Sequence, residues 1–217
     1  MTLRTAVLAG ASGLVGRELA QLLSESPAYG AVHSLVRRAT VDVAKPAKLI
    51  EHIVSFEQLP ALPPCDDVYI ALGTTIKAAG SQEAFRRVDH DYVVAVARAG
   101  RAAGAQRLAV VSALGADAKS RVFYNRVKGE MQQAVATLGY ASVIIVQPSL
   151  LVGDREALGQ PTRVAEVWAR RLLSPVSALI PLGFRPVLAR DVARSLISAT
   201  LVAAPDTSVI PSRDLHC

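Results

Sequence analysis

The stretch Arg4-Thr5-Ala6-Val7-Leu8-Ala9-Gly10-Ala11-Ser12-Gly13-Leu14-Val15-Gly16 decides the fold. Six residues of a short buried strand run directly into three glycines spaced by three. Leu19, Leu22 and Leu23 then begin a helical stripe over Leu14–Ser24. In a strand–turn–helix of this kind the first glycine permits the tight turn and the second lets backbone approach a pyrophosphate. The third allows close helix packing, and the helix N-terminus faces the anion. The context that this pattern demands, a strand before and a helix after, is present.

Working outward, short apolar runs alternate with longer helix-like stretches, the rhythm of βαβ units and a parallel sheet. Strands are expected at Arg4–Ala9, Ala31–Val36, Leu49–Val54, Asp67–Leu72, Arg107–Ser112 and Ser142–Gln147. Helices are expected at Ser81–Gly104 and Val122–Leu138. A run as apolar as Val143-Ile144-Ile145-Val146 suits a sheet covered on both faces. After Pro148, prolines at 161, 175, 181, 186, 205 and 211 cut the chain into short pieces. Helices are expected there at Arg163–Leu173 and Asp191–Leu201, the second with Asp191 as its N-cap. The fold class is therefore α/β: one doubly wound, mostly parallel sheet over 1–217. Residues 149–190 and the C-terminus are expected to form a small substrate-side lobe.

The chain has 217 residues, 51% hydrophobic and 19% charged, enough for a real core without disulfides or a metal staple. No apolar run reaches the 18 or more residues of a membrane-spanning helix. Two cysteines, Cys65 and Cys217, make no disulfide framework, and a reducing cytoplasmic location is expected. The net charge of +6 comes from 24 cations, 19 of them arginine. That excess alone points toward polyanions. Its distribution does not: Arg86-Arg87 and Arg170-Arg171 read as solvated helix faces, without the interleaved aromatics of single-stranded nucleic-acid binding. No nucleic-acid or membrane partner is expected.

Twenty-one residues beyond Gly16, strand two ends in Val36-Arg37-Arg38. An acid near this position would hold the ribose 2′-hydroxyl of NAD, whereas arginine accommodates the 2′-phosphate of NADP. No acid follows until Asp42, so NADP(H) is expected over NAD(H). A second pattern is Tyr124-Asn125-Arg126-Val127-Lys128, whose ends share one helical face. A phenol with an ordinary pKa near 10 exchanges protons poorly at neutral pH, and a neighbouring ammonium brings that value down. Tyr124 is then the expected acid for a carbonyl oxygen that receives hydride at its carbon. Ser112, closing strand five, is expected to hold the same oxygen. The four histidines, at 33, 52, 90 and 216, show no metal-ligand spacing, and no metal site is expected. Neither a G-x-S-x-G elbow nor a G-x-x-x-x-G-K-[ST] loop is present.

Together these features resemble the atypical or extended short-chain dehydrogenase/reductases, most closely the TIP30-like (Tat-interacting protein) group. The similar stretches are Ala71–Thr75, Phe85–Val93, Val111–Asp117, Tyr124–Glu130 and Pro148–Gly153. The resemblance implies a Rossmann fold in which Gly10, Ser12, Gly13, Leu14, Val15, Gly16, Arg37 and Arg38 contact the dinucleotide. Leu72, Gly73, Thr74, Thr75, Pro148 and Leu150 would flank it, and Ser112, Tyr124 and Lys128 would form the Ser-Tyr-Lys group. Relatives often carry a second serine where this chain has Ala113. The resemblance implies an oxidoreductase acting on a small carbonyl or alcohol. The alternative is a nonenzymatic NADP(H)-binding regulator that works through a protein partner.

Overall fold

The computed structural model describes residues 2–39, 45–152 and 181–215. Seven of the described strands form one parallel sheet: β1 (Arg4–Ala9), β2 (Tyr29–Val36), β3 (Leu49–Ile53), β4 (Asp67–Ile70), β5 (Arg107–Val111), β6 (Ser142–Gln147) and β9 (Asp206–Pro211). Their order is β3-β2-β1-β4-β5-β6-β9, so the winding reverses between β1 and β4. In such sheets ligands bind outside the carboxyl ends of the strands at that reversal. Two short strands, β7 (Leu151–Val152) and β8 (Val187–Leu188), pair with each other as a separate parallel sheet.

Alternation along each strand sends successive residues to opposite faces, and both faces are covered. On one side α1 (Leu14–Glu25) and α6 (Ala189–Val202) bury Leu19, Leu23, Val192 and Leu196 against Ala6, Leu8 and Val32. On the other, α4 (Tyr92–Ala102) and α5 (Phe123–Ala136) bury Val93, Val96, Met131 and Val135 against Val7, Ile70 and Val110. Each such valine, leucine, isoleucine or methionine contributes about 1.5–3 kcal/mol relative to exposure.

At the amino ends of the strands a buried polar cluster ties three of them together. Fully buried Asp67 accepts from Arg4 Nε at 2.6 Å and from Arg4 Nη2, and from the Tyr29 hydroxyl at 2.8 Å. The Tyr29 and Tyr69 hydroxyls stand 2.7 Å apart. Burial pushes both phenols well above their ordinary pKa, so they serve as neutral hydrogen-bonding groups.

The helix expected over Ser81–Gly104 is continuous from Gln82 to Ala102: α3 (Gln82–Arg86) passes through a π-helical turn at Arg87–Asp91 into α4. A shorter helix, α2 (Ile76–Ala79), precedes them. Asp89 in the π turn is buried, as are Phe85 and Val93 four residues to either side. Asp191 does not cap its helix: Leu188 holds that position, and Asp191 lies in the first turn, 3.6 Å from Arg194. The seventh strand, β9, escapes the apolar pattern because it is a half-solvated edge of sequence Asp-Thr-Ser-Val-Ile-Pro. The expected helix Arg163–Leu173, and most of the expected lobe over 149–190, lie outside the described residues.

Candidate functional site

The glycine loop joins β1 to α1 at the reversal of the sheet. Gly10 has φ +97°, and a Cβ there would stand 2.6 Å from the Ala71 carbonyl carbon. A Cβ on Gly16 would stand 1.9 Å from the Gly10 oxygen. Both glycines are therefore demanded by the fold itself. Gly13 is different. Its φ is −85°, and its Cβ would meet nothing closer than the Gly10 oxygen at 3.4 Å. The interior does not require a glycine at 13; room on the outer side of the loop is what its bare backbone leaves. Gly13 is also the N-cap of α1, no side chain caps that helix, and its first turn has no acid. Uncapped amides and the positive end of the dipole thus face the strand ends, an arrangement that suits a phosphate.

A Gly13→Ala variant is expected to fold with a loss of about 1 kcal/mol or less, the cost of a poorer cap. Its NADPH affinity should fall by on the order of tenfold, ~1.4 kcal/mol. Calorimetric titration that returns the parent affinity would show that no ligand lies against this loop.

The other expected contacts distribute around the same edge. Ser12 is exposed and Leu14 half-buried, whereas the Val15 side chain points into the core. Arg37 and Arg38 follow β2 as exposed bends, and among the described residues neither forms an ion pair. Arg37 acts electrostatically on the Tyr92 phenol, which places its charge near the start of α4. Asp42 lies outside the described residues. After β4, Leu72 packs on the α4–α5 core, and Gly73 and Thr75 are exposed. The Thr74 amide donates to Asp89 Oδ2 at 2.8 Å, and Thr75 Oγ1 caps α2 through the Ala78 amide at 3.1 Å. After β6, the carbonyl of buried Pro148 accepts from the Leu114 amide at 2.9 Å. The Leu150 carbonyl ties β8 through the Val187 amide, also at 2.9 Å.

Tyr124 and Lys128 both lie on α5, but their relation is not the expected one. Lys128 Nζ stands 2.7 Å from Asp89 Oδ1, with the two side chains 4% and 1% exposed. The ammonium is answered by a carboxylate. Tyr124 is half-buried against Phe85, ring centroids 5.3 Å apart. Its phenol is pushed up to about 12, first by burial and then by the charge of Asp89. The expectation that Lys128 brings this phenol down is therefore corrected. Among the described residues the Tyr124 hydroxyl makes no hydrogen bond, which leaves it available to a ligand.

Ser112 is buried, and its Oγ accepts from Gln132 Nε2 at 2.6 Å. Gln132 lies eight residues beyond Tyr124, about 12 Å along the helix axis. Gln147 Nε2 closes this chain on Gln132 Oε1 at 3.3 Å. The Ser112 hydroxyl at the end of β5 thus meets the C-terminal half of α5, and no described hydrogen bond brings Ser112 to Tyr124.

Two residues central to this arrangement, Asp89 and Gln132, were missed in the sequence. The signals were there. Phe85, Asp89 and Val93 are spaced by four, which puts a carboxylate inside an apolar stripe; Tyr124, Lys128 and Gln132 repeat the spacing on α5. His33 and His52, unconnected by spacing, meet across β2 and β3 with Nδ1 and Nε2 2.8 Å apart. Arg86 pairs with Glu130 rather than facing solvent alone. Half-buried His90 stands 2.8 Å from Asp91.

The fold and the loop geometry define a dinucleotide-binding protein. Residues 10–151 match the NAD(P)H-binding family, and the chain belongs to it. Its curated relatives include "Protein fmp52, mitochondrial" of Aspergillus fumigatus, 34% identical over 90% of this chain and 86% of that protein. The protein of the same name in Emericella nidulans is 36% identical over 76% of this chain and 74% of its own length. Among solved structures, "MoeE5 in complex with UDP-glucose and NAD" is similar with a TM-score of 0.70 at 15% identity, covering 95% of this chain and 76% of that one. A short chain dehydrogenase family protein from Francisella tularensis gives a TM-score of 0.69 at 12% identity, covering 98% of this chain and 99% of that one. These two likenesses establish the fold alone. The cytoplasmic location expected from thiol content is overturned, because the curated relatives are named as mitochondrial proteins.

Proposed function

We propose that this chain is an NADP(H)-dependent oxidoreductase of the short-chain dehydrogenase/reductase type, acting on a small carbonyl or alcohol. The observation that carries this reading is Gly13, a glycine that the fold does not need, on the uncapped N-terminus of α1 at the sheet reversal. The glycine loop would hold the pyrophosphate, Arg37 and Arg38 the 2′-phosphate, and the Gly73–Thr75, Pro148 and Leu150 segments the flanks. A bound nicotinamide would supply or accept the hydride. Tyr124, with its unclaimed hydroxyl, is the proton donor in this reading, and Lys128 lies one turn further along the same helix. Ser112 is the weaker member, since its hydroxyl is engaged by Gln132. A small substrate lobe over 149–190 belongs to the same proposal. Grouping with the TIP30-like proteins belongs to the same proposal and rests on the Ala71–Thr75, Phe85–Val93, Val111–Asp117, Tyr124–Glu130 and Pro148–Gly153 stretches.

Thermal denaturation with NADPH against NADH tests the cofactor. At 100 times its dissociation constant, NADPH should stabilise the fold by about 2.7 kcal/mol. For a chain of this size that is roughly 5–10 °C. NADH at the same concentration should do measurably less. Equal shifts would refute the roles of Arg37 and Arg38.

A second reading, a nonenzymatic NADP(H)-binding regulator, is favoured by one feature: Ser112 is engaged by Gln132 and Lys128 by Asp89, which leaves Tyr124 without either as a hydrogen-bond partner among the described residues. Cofactor binding without hydride transfer across a panel of aldehydes, ketones and alcohols would decide for it.

A further inference from the structure

The buried ion pair of Asp89 and Lys128 lies close to the anion-facing turn, and a run of contacts along one loop measures how close. Gly10 of that turn rests on the end of β4: a Cβ there would stand 2.6 Å from the Ala71 carbonyl carbon and 2.9 Å from the Leu72 nitrogen. Two residues beyond Ala71, exposed Gly73 rests on the ion pair. A Cβ there would lie 3.3 Å from Asp89 Oδ1 and 3.8 Å from Lys128 Nζ. Two residues of chain span at most about 7 Å. One short loop therefore separates the Lys128 ammonium from the turn that would hold the pyrophosphate.

Asp89 holds two groups at once. Its Oδ1 stands 2.7 Å from Lys128 Nζ, and its Oδ2 accepts from the Thr74 amide at 2.8 Å. The carboxylate thereby fastens the ammonium to the loop that lies over it. Among the described residues Lys128 Nζ has no other partner; an ammonium carries three N–H donors, so two are uncommitted. Docking of this segment on α5 is already provided by other contacts. Phe85 packs on Phe123 and Tyr124 at centroid distances of 5.9 and 5.3 Å, and Arg86 pairs with Glu130. A buried ion pair is often no better than apolar side chains of similar volume at holding two elements together.

We propose that Asp89 is a positioning residue for the dinucleotide: it sets the Lys128 ammonium under the Gly73–Thr74 loop, so that the uncommitted donors meet the nicotinamide half of the cofactor. This rests on the oxidoreductase reading above, which puts Lys128 at the reacting end. Asp89 touches no ligand itself and acts through Lys128. Two consequences separate this role from simple packing. The adenosine half is held elsewhere in that reading, by Arg37, Arg38 and the glycine loop, so loss of Asp89 is felt by one half of the ligand. Removing Asp89 also costs no further affinity once Lys128 is gone.

The test is calorimetric titration of Asp89→Asn, Lys128→Met and the double variant with two ligands: NADPH, and adenosine 2′,5′-bisphosphate, which lacks the nicotinamide half. Each single variant should bind NADPH on the order of tenfold more weakly, the usual worth of a hydrogen bond to a charged group. The bisphosphate should bind each as it binds the parent. The double variant should bind NADPH as Lys128→Met does. Equal weakening of both ligands would make Asp89 a structural residue, and additive losses would mean that it acts independently of Lys128. Unchanged NADPH affinity in Asp89→Asn would leave it no role; each of these results overturns the proposal. If Asp89→Asn does not fold, Asp89→Glu decides. One methylene longer, it cannot keep Lys128 Nζ and the Thr74 amide in the same places, so it should lose NADPH affinity several-fold and spare the bisphosphate. Parent-like NADPH affinity in that variant overturns the proposal. A parent chain that binds neither ligand sinks the dinucleotide reading itself; a parent that binds both, with variants that match it, sinks the role of Asp89 alone.

Discussion

Replacing Tyr124 with Phe should lower turnover by roughly 10²–10⁴-fold, the usual worth of a positioned acid. NADPH affinity and stability should stay close to the parent, and the structure says why. The Tyr124 ring packs on Phe85 at a centroid distance of 5.3 Å, a contact that Phe preserves. Its hydroxyl makes no hydrogen bond among the described residues, so removing the oxygen strands no buried partner. Steady-state kinetics with a reducible carbonyl, beside calorimetric titration of NADPH, separates the two quantities. Unchanged turnover would remove Tyr124 from the chemistry. A parallel loss of cofactor affinity would mean that the phenol binds rather than reacts.

The largest effect on stability is expected at the opposite end of the sheet. Asp67→Ala removes the carboxylate that accepts from Arg4 and Tyr29 and has Arg107 Nη1 at 3.9 Å. Breaking a buried pair by deleting one partner costs about 3–5 kcal/mol, because the remaining charge and hydroxyls keep their desolvation cost. At 2–4 °C per kcal/mol, the melting midpoint should drop by on the order of 10 °C. The folded fraction should still bind NADPH, since the glycine loop lies at the carboxyl ends of the same strands. A midpoint within about 2 °C of the parent would show that water repairs the cluster, contrary to the cost of burying unpaired charge.

Much of the fold was legible because its determinants are local. The strand cores at Arg4–Ala9, Asp67–Ile70 and Ser142–Gln147 are buried on both faces, so their composition alone marks them. The loop Gly10–Gly16 was legible because tight turns and close helix packing exclude a Cβ, and a residue type records that exclusion. Where the chain is mostly exposed to solvent, as in β9, periodicity carried no such mark.

The site divides along the same line. By itself the sequence determined six strands of the sheet, the glycine turn, and the presence of Tyr124 and Lys128 on one helix face, because each depends on residue type and short spacing. Only the tertiary structure decided the electrostatics. Asp89 lies 39 residues before Lys128 and reaches it through a π turn, and the end of β5 meets α5 at Gln132 rather than at Tyr124. Whether an ammonium lowers a phenol or is itself neutralised depends on what stands within a few ångströms, and that distance is set by packing between segments remote in the chain.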